Sequence, residues 1–281
     1  MSPDELRQWV GRSHVMEDFA APFPVRALSA TFDEADPEPR TGDALPPLWH
    51  WLYFLETVAQ SRLGPDGHPE RGDFLPPVPL PRRMWAGSRF AFDGEPLRVG
   101  DAIKRTSKIK SVEPKHGSTG SMVFVTVEHT VAGPRGKSFV EEHDIVYREA
   151  AKPGEKQREP RPAPTDATWS KKITATAVYL FRFSALTFNG HRIHYDQPYV
   201  TGSEGYPGLI VHGPLLGLQQ IELARRSNAG RIPATFEFRA LSPVYAGPFS
   251  VHGRRESDGA VTTWIADPNG GLAQQGKATF K

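Results

Sequence analysis

Two stretches decide how this chain folds: Phe90-Ala-Phe92-Asp-Gly-Glu-Pro96-Leu-Arg-Val-Gly100, and Phe236-Glu-Phe238-Arg-Ala-Leu-Ser-Pro243-Val-Tyr-Ala-Gly247. Each reads as a strand with alternating aromatic residues, then a Pro/Gly turn. The first is followed by alternating Ile103, Arg105 and Ile109, the second by Phe249, Val251 and Gly253. One residue of insertion separates the copies, so the pattern is either an internal duplication or two unrelated hairpins. Period-two runs follow in both places. Ser121–His129 and Ser138–Tyr147 are expected strands after the first copy, Val261–Ile265 and Gly271–Phe280 after the second.

Helices precede the second meander. Thr176 is placed to cap a helix with apolar residues Val178, Phe181, Ala185 and Phe188 at helical spacing. A second helix is expected from Gly213-Pro214 through Leu215, Leu216, Leu218, Ile221 and Leu223 to about Arg226, stopped by Asn228 and Gly230. Apolar residues cover most of its circumference as far as Glu222, so it should be buried. The fold class that this order implies is α+β, a buried helix wrapped by a strongly curved antiparallel sheet. The Pro-rich stretch 151–165 lacks aromatic and branched aliphatic residues and reads as a linker between an N-terminal half, 1–150, and a C-terminal half, 166–281.

Composition narrows the function. The 281 residues contain 34 Lys plus Arg against 32 Asp plus Glu, a net charge of +2 that falls short of the basic stripe nucleic acid requires. No run approaches about 18 apolar residues, and the N-terminus has no signal-peptide pattern, so a cytoplasmic protein with no membrane partner is expected. With no cysteine, thiol nucleophiles and Cys-based zinc sites are excluded. The 27 prolines and 26 glycines point to many turns between short elements.

Chemistry concentrates in Asn189-Gly-His191-Arg192-Ile-His194-Tyr195-Asp196, a short connection between a helix and a turn. Imidazole titrates near neutrality without tuning, so His194 or His191 can take a proton from water. The Asn189 amide can orient that water, and Asp196 can cap the next helix or hold a histidine tautomer. The His-x-x-His spacing lacks a matching acidic partner set, so no metal is expected. At the start of the buried helix, the Gly213 N–H can polarise a carbonyl, or Gly213 serves a tight turn; Pro214 has no N–H to offer. Arg82 and Arg83, beside Trp85, suit a carboxylate or a phosphate, or form an ordinary surface basic pair. Leu48–Leu55 reads as core or as an interface between halves. Nucleophile-elbow, Walker and dinucleotide fingerprints are lacking.

Phe183-Ser-Ala-Leu-Thr-Phe-Asn189-Gly-His-Arg-Ile-His194-Tyr-Asp196, Gly205–Pro214 and Leu241-Ser-Pro243-Val244 resemble the MaoC-like hydratases and dehydratases of the hotdog fold. Leu45–Phe54, Gly72–Gly87 and Pro96–Asp101 resemble the branch of itaconyl-CoA and mesaconyl-C4-CoA hydratases. The resemblance implies a double hotdog in which each half supplies a long helix wrapped by sheet, only the C-terminal half keeping the hydratase motif. In the wider family that motif is an Asp followed five residues later by a His. His194 matches the histidine, and Asn189 stands where the Asp is expected. The resemblance implies a hydro-lyase acting on an α,β-unsaturated CoA thioester without a cofactor. His194, Asn189 and Gly213 would be catalytic, with Arg82, Arg83, Arg192, His191 and His212 around the substrate. The alternatives are a fatty-acyl dehydratase with an apolar acyl pocket and a thioester-binding protein without turnover. A homodimer is compatible with such a fold.

Overall fold

The computed structural model describes residues 3–33, 39–117, 120–150 and 159–281. Its strands in chain order are β1 (Ser13–Phe19), β2 (Arg82–Ala91), β3 (Ala102–Gly117), β4 (Gly120–Gly133), β5 (Gly136–Arg148), β6 (Trp169–Ala175), β7 (Pro233–Ala240), β8 (Gly247–Arg255), β9 (Val261–Ala266) and β10 (Leu272–Phe280). They form one antiparallel sheet in the order β1-β3-β4-β5-β2-β7-β10-β9-β8-β6. The first five positions and the last five repeat the same connectivity in mirror order. The seam is β2 against β7, where Phe90 stands opposite Phe236, so the two aromatic repeats meet each other in register. The sequence reading passes over β1 and β6. Both are edge strands, and β1 is exposed along nearly its whole length, so no apolar alternation marks it.

The helices are α1 (Pro3–Arg7), α2 (Pro22–Phe32), α3 (Ala177–Leu186), α4 (Gln197–Gly202) and α5 (Gly213–Arg226). No helix among the described residues is long and apolar enough to cross a membrane. Helix α5 has the expected bounds and packs on β7, β8, β9 and β10. Its burial runs past the expected limit: Glu222 is buried too, accepting from Trp49 Nε1 at 3.1 Å and Arg225 at 2.7 Å. Trp49 therefore ties the N-terminal half to the helix of the other, and Leu48–Leu55 is both core and interface.

Three expectations need correction. The N-terminal half has no counterpart of α5 among its described residues. Residues 39–81 carry nine prolines, each of which removes an N–H donor, and only 3₁₀ turns form, at Trp49–Leu52 and Gln60–Arg62. Helix α3, capped by the Thr176 hydroxyl as expected, turns Val178 and Phe181 outward and buries Leu180, Phe183 and Ser184 instead, while Phe188 lies past its end and is exposed too. Periodicity located the helix and named the wrong face. Of the 151–165 stretch, 151–158 lie outside the described residues. Residues 161–163 dock on the β9–β10 hairpin by backbone bonds, Ala163 N–H to Gly270 O at 2.8 Å and Leu272 N–H to Arg161 O at 2.7 Å, which require no apolar side chains.

Candidate active site

Residues of both halves line a cleft of about 3260 Å³ that includes Arg82, Arg83, Asn189, His191, Arg192, His194, His212 and Gly213. The connection after α3 is held by its own polar groups. Asn189 N–H reaches back to Ser184 O at 2.8 Å, and Asn189 Oδ1 accepts the His191 N–H at 2.9 Å. With its oxygen already accepting within that turn, Asn189 keeps its Nδ2 hydrogens to offer a ligand. Asp196 caps α4 by accepting Tyr199 N–H at 3.0 Å, and it holds no histidine.

His194 is buried, and its Nδ1 lies 2.7 Å from the Ile210 carbonyl. A carbonyl only accepts, so Nδ1 carries the proton and Nε2 presents a lone pair. Burial lowers the His194 pKa to about 4, against the opposing effect of the Ile210 carbonyl. The ring stacks on His212, centroids 3.6 Å apart. His212 pairs through Nε2 with Ser184 Oγ at 2.8 Å, and burial pushes its pKa well down. His212 thus backs His194 as a flat neutral surface. Its neighbour Gly213 opens α5, and the Gly213 N–H has no hydrogen-bond partner among the described residues. Val211 N–H bonds Val244 O at 2.8 Å, which pins the approach to that helix end.

Sequence reasoning missed that the N-terminal half buttresses this loop. Arg192 N–H donates to Asp66 O and Arg192 Nη1 to Pro65 O, both at 2.9 Å. Gly67 presses so close that a Cβ there would lie 2.0 Å from Gly190 O. His68, bonded through Nδ1 to Asp66 Oδ2 at 3.1 Å, packs on His191 with centroids 4.0 Å apart. Pro65-Asp-Gly-His68 concentrates titratable residues in a short turn, the same signal that singled out 189–196. Asp66, His68 and His191 are close enough to share an ion. Arg83, within electrostatic reach of both imidazoles, opposes added positive charge there.

The expected arginines differ in what they already hold. Arg192 is bonded to Asp196 at 2.9 and 2.8 Å and lies over Tyr199, so its guanidinium is engaged within the loop. Arg82 pairs with Glu204 at 3.8 Å and covers Tyr206. Arg83 makes no ion pair with a carboxylate among the described residues. In register, Arg82 opposes Arg148 and Arg83 opposes Tyr147, with Arg71 over the Tyr147 ring, so these arginines gather at one end of β2 and β5.

A family model described as hydroxyacyl-thioester dehydratase type 2 matches residues 48–246. The chain belongs to this family. A relative from Chloroflexus aurantiacus named mesaconyl-C(4)-CoA hydratase is 44% identical over 266 residues, covering 92% of each chain. Among solved structures, a MaoC-like dehydratase from Phytophthora capsici superposes with a TM-score of 0.70 at 14% identity, covering 100% of this chain and 99% of that one. A Mycobacterium tuberculosis protein with a double hotdog fold gives 0.57 at 11% identity, covering 99% and 98%. This member of the hydroxyacyl-thioester dehydratase type 2 family is a hydro-lyase with the double hotdog fold.

Its buried imidazoles make the family member acid-sensitive. Burial lowers His129 to about 3, His143 and His194 to about 4 and His191 to about 2. An unfolded chain takes these protons near pH 6.5, and the folded one resists them. Stability is therefore fully present above about pH 6.5 and falls as the pH drops toward 4. Calorimetry should find Tm nearly constant from pH 8 to 7 and falling steeply between pH 6 and 4.5.

Proposed function

We propose that this chain adds water reversibly to the double bond of an α,β-unsaturated CoA thioester whose short acyl group carries a second carboxylate, as in mesaconyl-C4-CoA or itaconyl-CoA, giving citramalyl-CoA. The observation that carries the reading is the tautomer of His194: Nδ1–H is spent on Ile210 O, which leaves Nε2 as a proton acceptor in the cleft. The thioester carbonyl rests on the Gly213 N–H at the positive end of α5, which makes the β-carbon electrophilic. Water accepts a hydrogen bond from Asn189 Nδ2 and donates to His194 Nε2. As His194 takes that proton, the oxygen bonds to the β-carbon and the electron pair moves to the thioester oxygen as an enolate. The His194 imidazolium then protonates the α-carbon, which restores the carbonyl and the neutral imidazole.

The arginines at the end of β2 and β5, with Arg83 not paired to a carboxylate, suit the phosphates of CoA. Residues 1–150 and 166–281 act as the two hotdog halves joined by 151–165, with the hydration motif in the second; the mirrored strand order supports this division. The experiment is to incubate wild type and His194→Gln with mesaconyl-C4-CoA, itaconyl-CoA and crotonyl-CoA and follow uptake of one water by mass. Turnover of the dicarboxylic thioesters that vanishes in the variant supports the proposal. Preference for crotonyl-CoA replaces it with a fatty-acyl dehydratase, and binding without turnover with a thioester-binding protein. Replacing Asn189 by alanine removes the donor to water, and kcat should fall about 10- to 100-fold with KM little changed, as read by steady-state kinetics.

A further inference from the structure

The inward face of the N-terminal half of the sheet is polar at its centre. Ser107 on β3 pairs with His129 on β4, His129 with Glu141 on β5, and His143 on β5 with Ser88 on β2. Arg105 stands two residues before Ser107 on the same face. In the C-terminal half the corresponding strands contribute Phe249, Val251, Val261 and Ile265 to an apolar core against α5. In the N-terminal half no long helix among the described residues covers the polar positions, and Arg105, Ser107, His129, Glu141 and His143 line the cleft instead.

Most of these groups satisfy one another. Ser107 Oγ and His129 Nδ1 are 2.8 Å apart. Glu141 accepts from Ser88 Oγ at 3.0 Å, from His50 Nε2 at 3.1 Å and from Trp51 Nε1 at 3.3 Å. Two groups remain. Arg105 Nε and His143 Nε2 are buried with no hydrogen-bond partner. The Arg105 guanidinium reaches Met16 Sδ at 3.1 Å, Phe54 O at 3.4 Å and the Phe54 ring, whose centroid is 5.3 Å away; it feels Glu56 and Glu141 at longer range and forms no ion pair with a carboxylate among the described residues. Arg105 is half-buried, and a guanidinium partly shielded from water with a buried, unbonded Nε and no anion in contact is disfavoured. The partner is therefore to be sought in what enters the cleft.

Trp85 connects this floor to the reaction centre. Its Cβ lies 4.0 Å from where a Cβ on Gly213 would stand, and its ring packs tilted against His143, centroids 3.8 Å apart. An acyl group whose carbonyl sits on the Gly213 N–H can thus run past Trp85 toward His143 and Arg105. We propose that Arg105, assisted by His143, binds a carboxylate at the far end of the acyl chain and so selects dicarboxylic over simple acyl-CoA substrates. The assignment rests on the hydratase reading for its substrate, and it moves the carboxylate site away from Arg82, Arg83 and Arg192. Arg83 belongs to the arginine group at the strand ends, whereas Arg105 is half-buried on the cleft floor and has no anion in contact.

Binding of saturated thioesters, which cannot take up water, tests the site apart from catalysis. Calorimetry on the intact protein with methylsuccinyl-CoA and butyryl-CoA should give at least 10-fold tighter binding of the first to wild type, and loss of that preference in Arg105→Met. In turnover, the ratio of kcat/KM for mesaconyl-C4-CoA to that for crotonyl-CoA should fall about 100-fold in Arg105→Met. Wild type binding both saturated thioesters equally overturns the proposal, and this holds even where the variant fails to fold. Equal loss on both substrates in Arg105→Met, or collapse of the preference in Arg83→Met with Arg105→Met unaffected, also overturns it. A wild type that prefers methylsuccinyl-CoA but hydrates nothing leaves the site standing and removes the hydratase reading.

Discussion

Replacing His194 by glutamine should lower kcat for hydration about 1,000-fold while KM changes little, because general-base catalysis is worth about 10²–10⁴-fold and the amide has no proton-accepting nitrogen. The side chain keeps a similar size, so packing against His212, 3.6 Å away, is retained and the loss is chemical. The pH profile gives an independent check. Burial holds His194 to about 4, so the free enzyme keeps its base unprotonated through the neutral range. The kcat/KM profile of wild type should therefore be flat from about pH 6 to 8 and fall on the acid side with a pKa near 4, in parallel with the acid instability described above. An acid limb centred near 6.5 instead would show that the acting group is a solvated imidazole, and His194 would lose its role.

Substituting Gly67 by alanine should lower kcat about 100-fold although Gly67 belongs to none of the groups that touch substrate. Its φ of +86° is left-handed backbone that a side chain strains, and its Cβ would stand 2.0 Å from the Gly190 carbonyl carbon's oxygen. One of the two loops must retreat. Retreat of the Gly190 loop shifts Asn189, His191 and His194 together, and a displacement of about 1 Å at a reaction centre costs about 10²-fold. Gly67 sits in a surface connection outside the sheet, so Tm should drop by only a few degrees. Steady-state kinetics with calorimetry on the same sample separates the two effects. A variant with wild-type kcat would mean that the 64–68 loop is not needed to place the catalytic one.

The two aromatic repeats, the meanders after them and the helix from Gly213 to Arg226 were legible because each is written locally, as a period, a cap or a turn. Edge strands β1 and β6 were not: β1 is exposed along nearly its whole length and carries no period, and in β6 the half-buried face of Trp169, Lys171 and Ile173 alternates with exposed Ser170, Lys172 and Thr174, a period that Lys171 hides. The outward face of α3 was misread for a related reason: Val178, Phe181 and Phe188 are apolar at helical spacing, but burial depends on what lies opposite, and there the chain leaves them exposed. The polar floor had a signal that went unused. Arg105 falls where the β3 alternation between Ile103 and Ile109 calls for an apolar residue, and Glu141 and His143 do the same on β5.

By itself the sequence determined the two aromatic repeats, the helix that starts at the reaction centre, and the Asn189–His194 connection, because periodicity, capping and turn chemistry act over a few residues. The tertiary structure alone decided which nitrogen of His194 is the base, which arginines are already paired, that Asp66, Gly67 and His68 brace the catalytic loop, and that the N-terminal half leaves its concave face open. Proton position, charge pairing and burial are set by groups brought together from distant parts of the chain, such as Ile210 beside His194 and Glu204 beside Arg82, and no local pattern encodes those distances.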